Sequence, residues 1–308
     1  MSDSLPLEDV GVRLDREGPV ATVTLCRPHV LNAQTPAMWR ELRQIGRDLP
    51  GDIRVVVVRG EGRAFSAGLD LSAVSATASD SGETTPSGSI SESGPVEGSD
   101  FVDRSGLPDS SAGPDSPAGP HSPAGPRAFN FADLARGDDV TGIETIARFQ
   151  EGFSWLRRPD LVSIAAVRGH AIGAGFQLAL ACDLRVLAED AQLTMAEVSL
   201  GLVPDLGGTK RLVELVGYAR AIDICITGRR IGANEADRLG LATTVVPVDD
   251  LDKTVADLVA QILTARRGAV IEIKALLAAA SQHTYAQQEA AERAAQLRRI
   301  RDVVGLGE

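Results

Sequence analysis

Apolar and polar residues alternate along Val10–Arg16 and again along Pro19–Leu25, with Glu17-Gly18 between them. A period of two on either side of a short polar turn predicts a β-hairpin with one buried face. The pattern then changes to a helical one from Pro36 to Leu49, with Thr35 placed to cap it and Pro36 at the first helical position. Ile53–Arg59 is almost entirely Val and Ile, which predicts a strand covered on both faces. Later segments repeat this alternation. A helix is predicted over Val140–Arg157, ending before Pro159, then a strand over Leu161–Val167, a short helix over Phe176–Ala181 and a buried strand over Asp183–Ala188. Helices follow near Gly208–Val216, Ala219–Thr227 and Ala233–Leu239, then a strand over Thr243–Pro247 and three further helices ending near Val303. Strands and helices that alternate early and give way to helices alone predict an α/β core with a helical C-terminal section.

One stretch breaks this pattern. From about Ser72 to Arg127 the chain is dominated by Ser, Gly, Pro, Ala and Asp, and Asp115–Pro120 is nearly repeated by His121–Pro126. Such a composition cannot offset its ordering entropy by burying apolar area, so residues 73–127 are read as a disordered insertion. The expected organisation is a core from 1–72 and 128–250, this insertion, and a helical region from 251–308.

Composition narrows the function. The chain has 308 residues, a formal charge of −11 and three scattered cysteines, Cys26, Cys182 and Cys225. A net negative charge argues against a general nucleic-acid partner, which normally carries a basic face. Scattered, odd-numbered thiols fit a reducing compartment better than a disulfide framework. With neither an export signal nor an apolar run of membrane-spanning length, the expectation is a cytoplasmic protein. The histidines His29, His121, His170 and His283 show no metal-ligand spacing, and Ser66 lacks a nucleophile elbow.

The chemistry is concentrated at two turns. Gly60-Glu61-Gly62-Arg63-Ala64-Phe65-Ser66-Ala67-Gly68-Leu69-Asp70-Leu71 follows the Val-rich strand, and Gly169-His170-Ala171-Ile172-Gly173-Ala174-Gly175-Phe176-Gln177 follows the strand Leu161–Val167. Small residues at both let backbone N–H groups approach a ligand, and two such turns brought together could aim two amides at one oxygen. These segments, with Arg27-Pro28, Leu31-Asn32-Ala33 and the block Ala196–Thr209, resemble the crotonase, or enoyl-CoA hydratase/isomerase, superfamily in order and spacing.

The resemblance implies a spiral of ββα repeats, a C-terminal helical section that mediates trimer or hexamer contacts, and an acyl-CoA thioester as substrate. No cofactor is implied beyond the coenzyme A that the substrate carries. By the same resemblance the oxyanion donors are the N–H groups of Leu69 and Ala174. Coenzyme A would run past Arg27, Arg63, Ala64, Ala67 and Leu69, with Asp70 capping the segment after the first turn. Hydratases of the family use two glutamates twenty positions apart; here those positions hold Gln177 and Glu197, and glutamine cannot exchange a proton at neutral pH. Asp205, eight residues past Glu197, stands where the dienoyl-CoA isomerase branch carries an aspartate. Glu197 with Asp205 therefore resembles an acid–base pair for moving a proton between carbons, with hydration as the alternative and a non-catalytic acyl-CoA-binding protein as a second one. A role for Asp205 in capping the helix at Gly208–Val216 stays open beside these.

Overall fold

A computed structural model describes residues 10–71 and 131–306. The expectation for 73–127 lies outside the described residues.

The N-terminal hairpin pairs β1 (Val12–Glu17) with β2 (Val20–Leu25) antiparallel, and β3 (Val55–Gly60), β4 (Val162–Val167), β6 (Leu184–Ala188) and β9 (Thr244–Val246) add in parallel. The sheet order is β1-β2-β3-β4-β6-β9. The Val run of β3 sits between two parallel neighbours, which is why it carries no polar alternation. Val56 and Val58 point into the main core, while Val55 and Val57 face a second cluster with Leu251 and Val255.

Helix α1 (Pro36–Asp48) begins as predicted, with the Thr35 side chain accepting the Met38 N–H and Pro36 in the first turn. Its buried residues Met38, Trp39, Leu42 and Ile45 recur at helical spacing. Helices α2 (Phe131–Arg136) and α3 (Asp139–Ser154) follow, and α3 packs on α1 with Phe149 and Phe153 edge-on to Trp39. The Val140–Arg157 helix is thus split: its last turn, Trp155–Arg157, tightens into a 3-10 helix.

A second, three-stranded sheet in the order β5-β7-β8 was not foreseen. It comprises β5 (His170–Ile172), β7 (Gln192–Thr194) and β8 (Ile231–Gly232), each too short to show a period. Helix α4 (Ala174–Ala181) leaves β5 directly and is buried along its whole length. Beyond it come α5 (Gly208–Val216), α6 (Tyr218–Thr227) and α7 (Ala233–Arg238). The C-terminal section is α8 (Leu251–Thr264), α9 (Arg267–Ala280) and α10 (Tyr285–Val303). Helix α8 covers the second face of the main sheet through Leu251 and Val255. Lys274 on α9 ties this section to the core, donating to Asp183 and to the Leu161 carbonyl, both at 2.7 Å. Among the described residues no helix is long and apolar enough to cross a membrane.

Candidate active site

The two glycine turns meet. Ser66 bridges in parallel to Ala171, its N–H donating to His170 O (2.8 Å) and its carbonyl accepting from Ile172 N–H (2.9 Å). Gly68 has φ +88°, and a Cβ there would lie 2.6 Å from Ile172 O and 3.8 Å from Ala174 N. Only glycine lets the segment before Leu69 press this closely on the start of α4.

A buried polar network holds the first turn. Trp39 Nε1 donates to Gln34 Oε1 (2.8 Å), Gln34 Nε2 to Ser66 Oγ (3.0 Å), and Ser66 Oγ to Asn32 O (2.8 Å). Asn32 Nδ2 in turn donates to Ala64 O (2.8 Å). Asn32, Gln34 and Ser66 are fully buried, so each polar atom needs a partner and the network admits one arrangement. Ser66 is thereby a structural hydroxyl. The sequence reading missed Gln34, because its partner Ser66 lies on the turn 32 residues ahead.

Around these turns, Gln34 N–H donates to Gly68 O, Asp70 N–H to Gln34 O, and Gly173 N–H to Thr194 O. The amides of Leu69 and Ala174 donate to no acceptor among the described residues. Ala174 is the first residue of α4, where a helix leaves its N–H groups unpaired and carries partial positive charge. Two donors at a pair of touching turns can receive one anionic oxygen.

Glu197 opens the 3-10 helix Glu197–Leu200 and is 8% exposed. Its Oε1 accepts a hydrogen bond from Gln177 Nε2 at 2.7 Å, and its Oε2, also buried, has no partner among the described residues. Gln177 Oε1 accepts from Leu206 N–H (2.9 Å) and Gly208 N–H (3.3 Å). Asp205 precedes these amides, and its own carbonyl takes a hydrogen bond from Gln150 Nε2 on α3 (2.7 Å). Burial pushes the Glu197 carboxyl above the ordinary carboxylate range; the Gln177 hydrogen bond opposes this and the charge of Asp205 adds to it. Burial also raises Asp205. Cys225 on α6, half-buried, is raised by burial and by the charge of Glu197. Nothing in the sequence pointed to it, since α6 is remote in the chain.

Helix α5 is capped by Gly207 without a side-chain hydrogen bond, so Asp205 does not cap it. Arg27 and Asp70 engage each other. Asp70 accepts from Arg27 Nη1 at 2.8 Å, and the same nitrogen donates to Ala33 O at 2.7 Å. Arg27 therefore straps the Leu31–Ala33 loop to the first turn. Arg63 is exposed, Ala64 is buried and Ala67 half-buried, its N–H bonded to Leu31 O. No group of His, Cys, Asp and Glu among the described residues could hold a metal.

Comparison with known proteins identifies the family. A profile of the enoyl-CoA hydratase/isomerase family matches residues 15–92 and 131–302. The human mitochondrial Δ(3,5)-Δ(2,4)-dienoyl-CoA isomerase is 30% identical over 280 residues, covering 87% of this chain and 68% of that protein. The carnitinyl-CoA dehydratase of Salmonella typhi is 31% identical over 285 residues, covering 92% and 83%. Among solved structures, a Thermobifida fusca protein described as an enoyl-CoA hydratase, in complex with CoA, superposes with a TM-score of 0.76 at 43% identity. The match covers 97% of this chain and 96% of that one. The same protein with acetoacetyl-CoA matches at 44% identity, also with a TM-score of 0.76, covering 96% and 97%. The fold is the α/β crotonase fold with its helical C-terminal section, and the chain belongs to the enoyl-CoA hydratase/isomerase family of enzymes.

Proposed function

We propose that this enzyme isomerises the double bond of an enoyl- or dienoyl-CoA thioester, with Glu197 and Asp205 as its acid–base pair. The observation that carries the reading is the buried Glu197 oxygen without a partner, beside a second carboxyl group that burial also pushes up. Two such groups share charge unequally, leaving one ionised as base and the other protonated as acid. Glu197 takes a proton from the carbon next to the thioester carbonyl. The electron pair moves through the double bond and the negative charge settles on the thioester oxygen. The N–H groups of Leu69 and Ala174 receive that oxygen as an oxyanion hole, each contributing a few kcal/mol. Asp205 then delivers its proton to the far carbon of the conjugated system. No atom is gained or lost, and the pair resets by passing a proton back.

The CoA-bound Thermobifida fusca structure and the human dienoyl-CoA isomerase support the substrate class. Arg63, Ala64, Ala67 and Leu69 line the proposed path of coenzyme A, and the enzyme itself needs no further cofactor. The exposed apolar residues Ile273 and Leu277 on α9 and Leu297 and Ile300 on α10 support assembly as a homotrimer or hexamer through the C-terminal section.

Hydration is the second reading, favoured by the intact Glu197 and by hydratases among the relatives. Incubating the purified protein with a 2-enoyl-CoA, a 3-enoyl-CoA and a 3,5-dienoyl-CoA, with product analysis, decides between them. Isomerisation predicts turnover of the second and third. Fast hydration of the first alone refutes it, and binding of all three without turnover points to a non-catalytic acyl-CoA-binding protein.

A further inference from the structure

We infer that Gln177 is a positioning residue: its amide selects Oε2 of Glu197 as the oxygen that moves the proton, and locks the Asp205 loop to the same carboxylate. The inference rests on the acid–base reading above and extends it to a side chain with no proton to give.

An amide has two unlike ends, and its surroundings here fix which way it points. Leu206 N–H and Gly208 N–H are both donors, so only the carbonyl oxygen of Gln177 can face them. Nε2 must then face Glu197 Oε1, 2.7 Å away. That engages one carboxylate oxygen and leaves Oε2, buried and unpartnered among the described residues, as the oxygen with its proton-accepting capacity unused. The same amide spaces the two carboxyl groups. A Cβ at Gly208 would lie 2.8 Å from Gln177 Cγ, so the loop rests directly on this side chain, while Gln150 holds Asp205 O from the other side. Gln177 thus fixes both members of the pair at once.

Its neutrality has a consequence for charge. The charges coupled to Glu197 are acidic: Asp205 raises the Glu197 carboxyl, and Glu197 raises the Cys225 thiol on α6. Gln177 is the one neighbour on α4 that stabilises the ionised carboxylate, by donating a hydrogen bond. A glutamate at 177 would keep both backbone N–H bonds yet set a second carboxylate against Glu197 Oε1. Such a pair must share a proton or repel.

The test is the pH profile of kcat/KM for the thioester turned over fastest in the panel above. It is measured for wild type, Gln177→Met, Gln177→Glu and Glu197→Gln, with Tm recorded for each. Activity needs Glu197 ionised, so the acid limb reports its protonation. Methionine removes the donor at similar volume, and glutamate replaces it with a charge. Both should move the acid limb upward by ~1 pH unit, the size of effect one hydrogen bond or one adjacent charge produces. A structural role alone would lower Tm and leave the limb in place, which would overturn the inference. Should Gln177→Met fail to fold, an unmoved acid limb in Gln177→Glu still overturns the inference, because that variant retains the contacts to Leu206 and Gly208. A Glu197→Gln variant as active as wild type would instead remove the acid–base reading beneath. An inactive Glu197→Gln with unmoved limbs in both Gln177 variants would refute the positioning role only.

Discussion

Glu197→Gln separates chemistry from folding more cleanly than any other substitution in this protein. The two side chains have nearly the same volume. Glu197 Oε1 accepts from Gln177 Nε2 at 2.7 Å, and the new carboxamide oxygen can do the same. Its NH2 then occupies the place of Oε2, which bonds to no described residue, so no existing hydrogen bond is broken. What disappears is the proton-exchanging group. Removing a general acid or base costs ~10²–10⁴ in rate, or about 3–5 kcal/mol of transition-state stabilisation. Binding of acyl-CoA should persist, since the proposed oxyanion donors are backbone groups. Stability should move the other way. A carboxyl whose folded pKa is raised loses its proton more readily in the unfolded chain, so wild type loses stability as pH rises from the unfolded value through the folded one. The loss then persists at higher pH. Glu197→Gln abolishes it, so the variant should melt above wild type at pH 8, and the difference should shrink towards pH 4. The assays are kcat on the best thioester, acyl-CoA affinity by calorimetry, and Tm at the two pH values. A variant that loses activity together with acyl-CoA binding, or that melts below wild type at pH 8, would refute the reasoning.

Other substitutions test separate parts of the site. Ala174→Pro removes one proposed oxyanion donor at the first helical position, where proline is well tolerated. kcat should fall ~10²–10³-fold while circular dichroism stays unchanged; full activity would exclude this amide. Arg27→Ala leaves Asp70 without its guanidinium in a partly buried setting, so stability in urea unfolding should drop by about 1–3 kcal/mol. The affinity for free CoA should not change, and a large loss of it at constant stability would return Arg27 to the phosphate site. Gln177→Glu restores two glutamates and should raise hydration of 2-enoyl-CoA relative to isomerisation, as read by product ratios.

Much of this architecture is legible in the sequence, for physical reasons that also explain what is not. The β1–β2 hairpin, the Val run of β3 and the Thr35-capped α1 are set by local patterning, and the structure reproduces them within a residue or two. The small sheet β5-β7-β8 is invisible because strands of two or three residues carry no period. The touching of the two glycine turns could be suspected from their small residues. The Asn32–Gln34–Ser66–Trp39 network behind them could not, because it joins polar side chains across long sequence separations. Asp70 and Arg27 each looked locally employed, one as a cap and one towards a phosphate, yet they pair with each other across 43 residues. Gln177 is the sharpest case. As a residue type it reads as a lost glutamate, and only its contacts with Glu197, Leu206 and Gly208 reveal a fixed orientation.

The central claim, that Glu197 and Asp205 move a proton between carbons, meets its most direct test in Asp205→Asn. Asp205 does not cap α5, and its carbonyl, held by Gln150, is unaffected by the change, so the variant should keep the wild-type Tm within a few degrees. The measurement is kcat for conversion of a 3,5-dienoyl-CoA to the 2,4-isomer, followed by absorbance. The account predicts a fall of at least ~10²-fold in a folded enzyme that still binds the thioester. Turnover near the wild-type rate would contradict it, leaving Glu197 as the sole carboxylate at work.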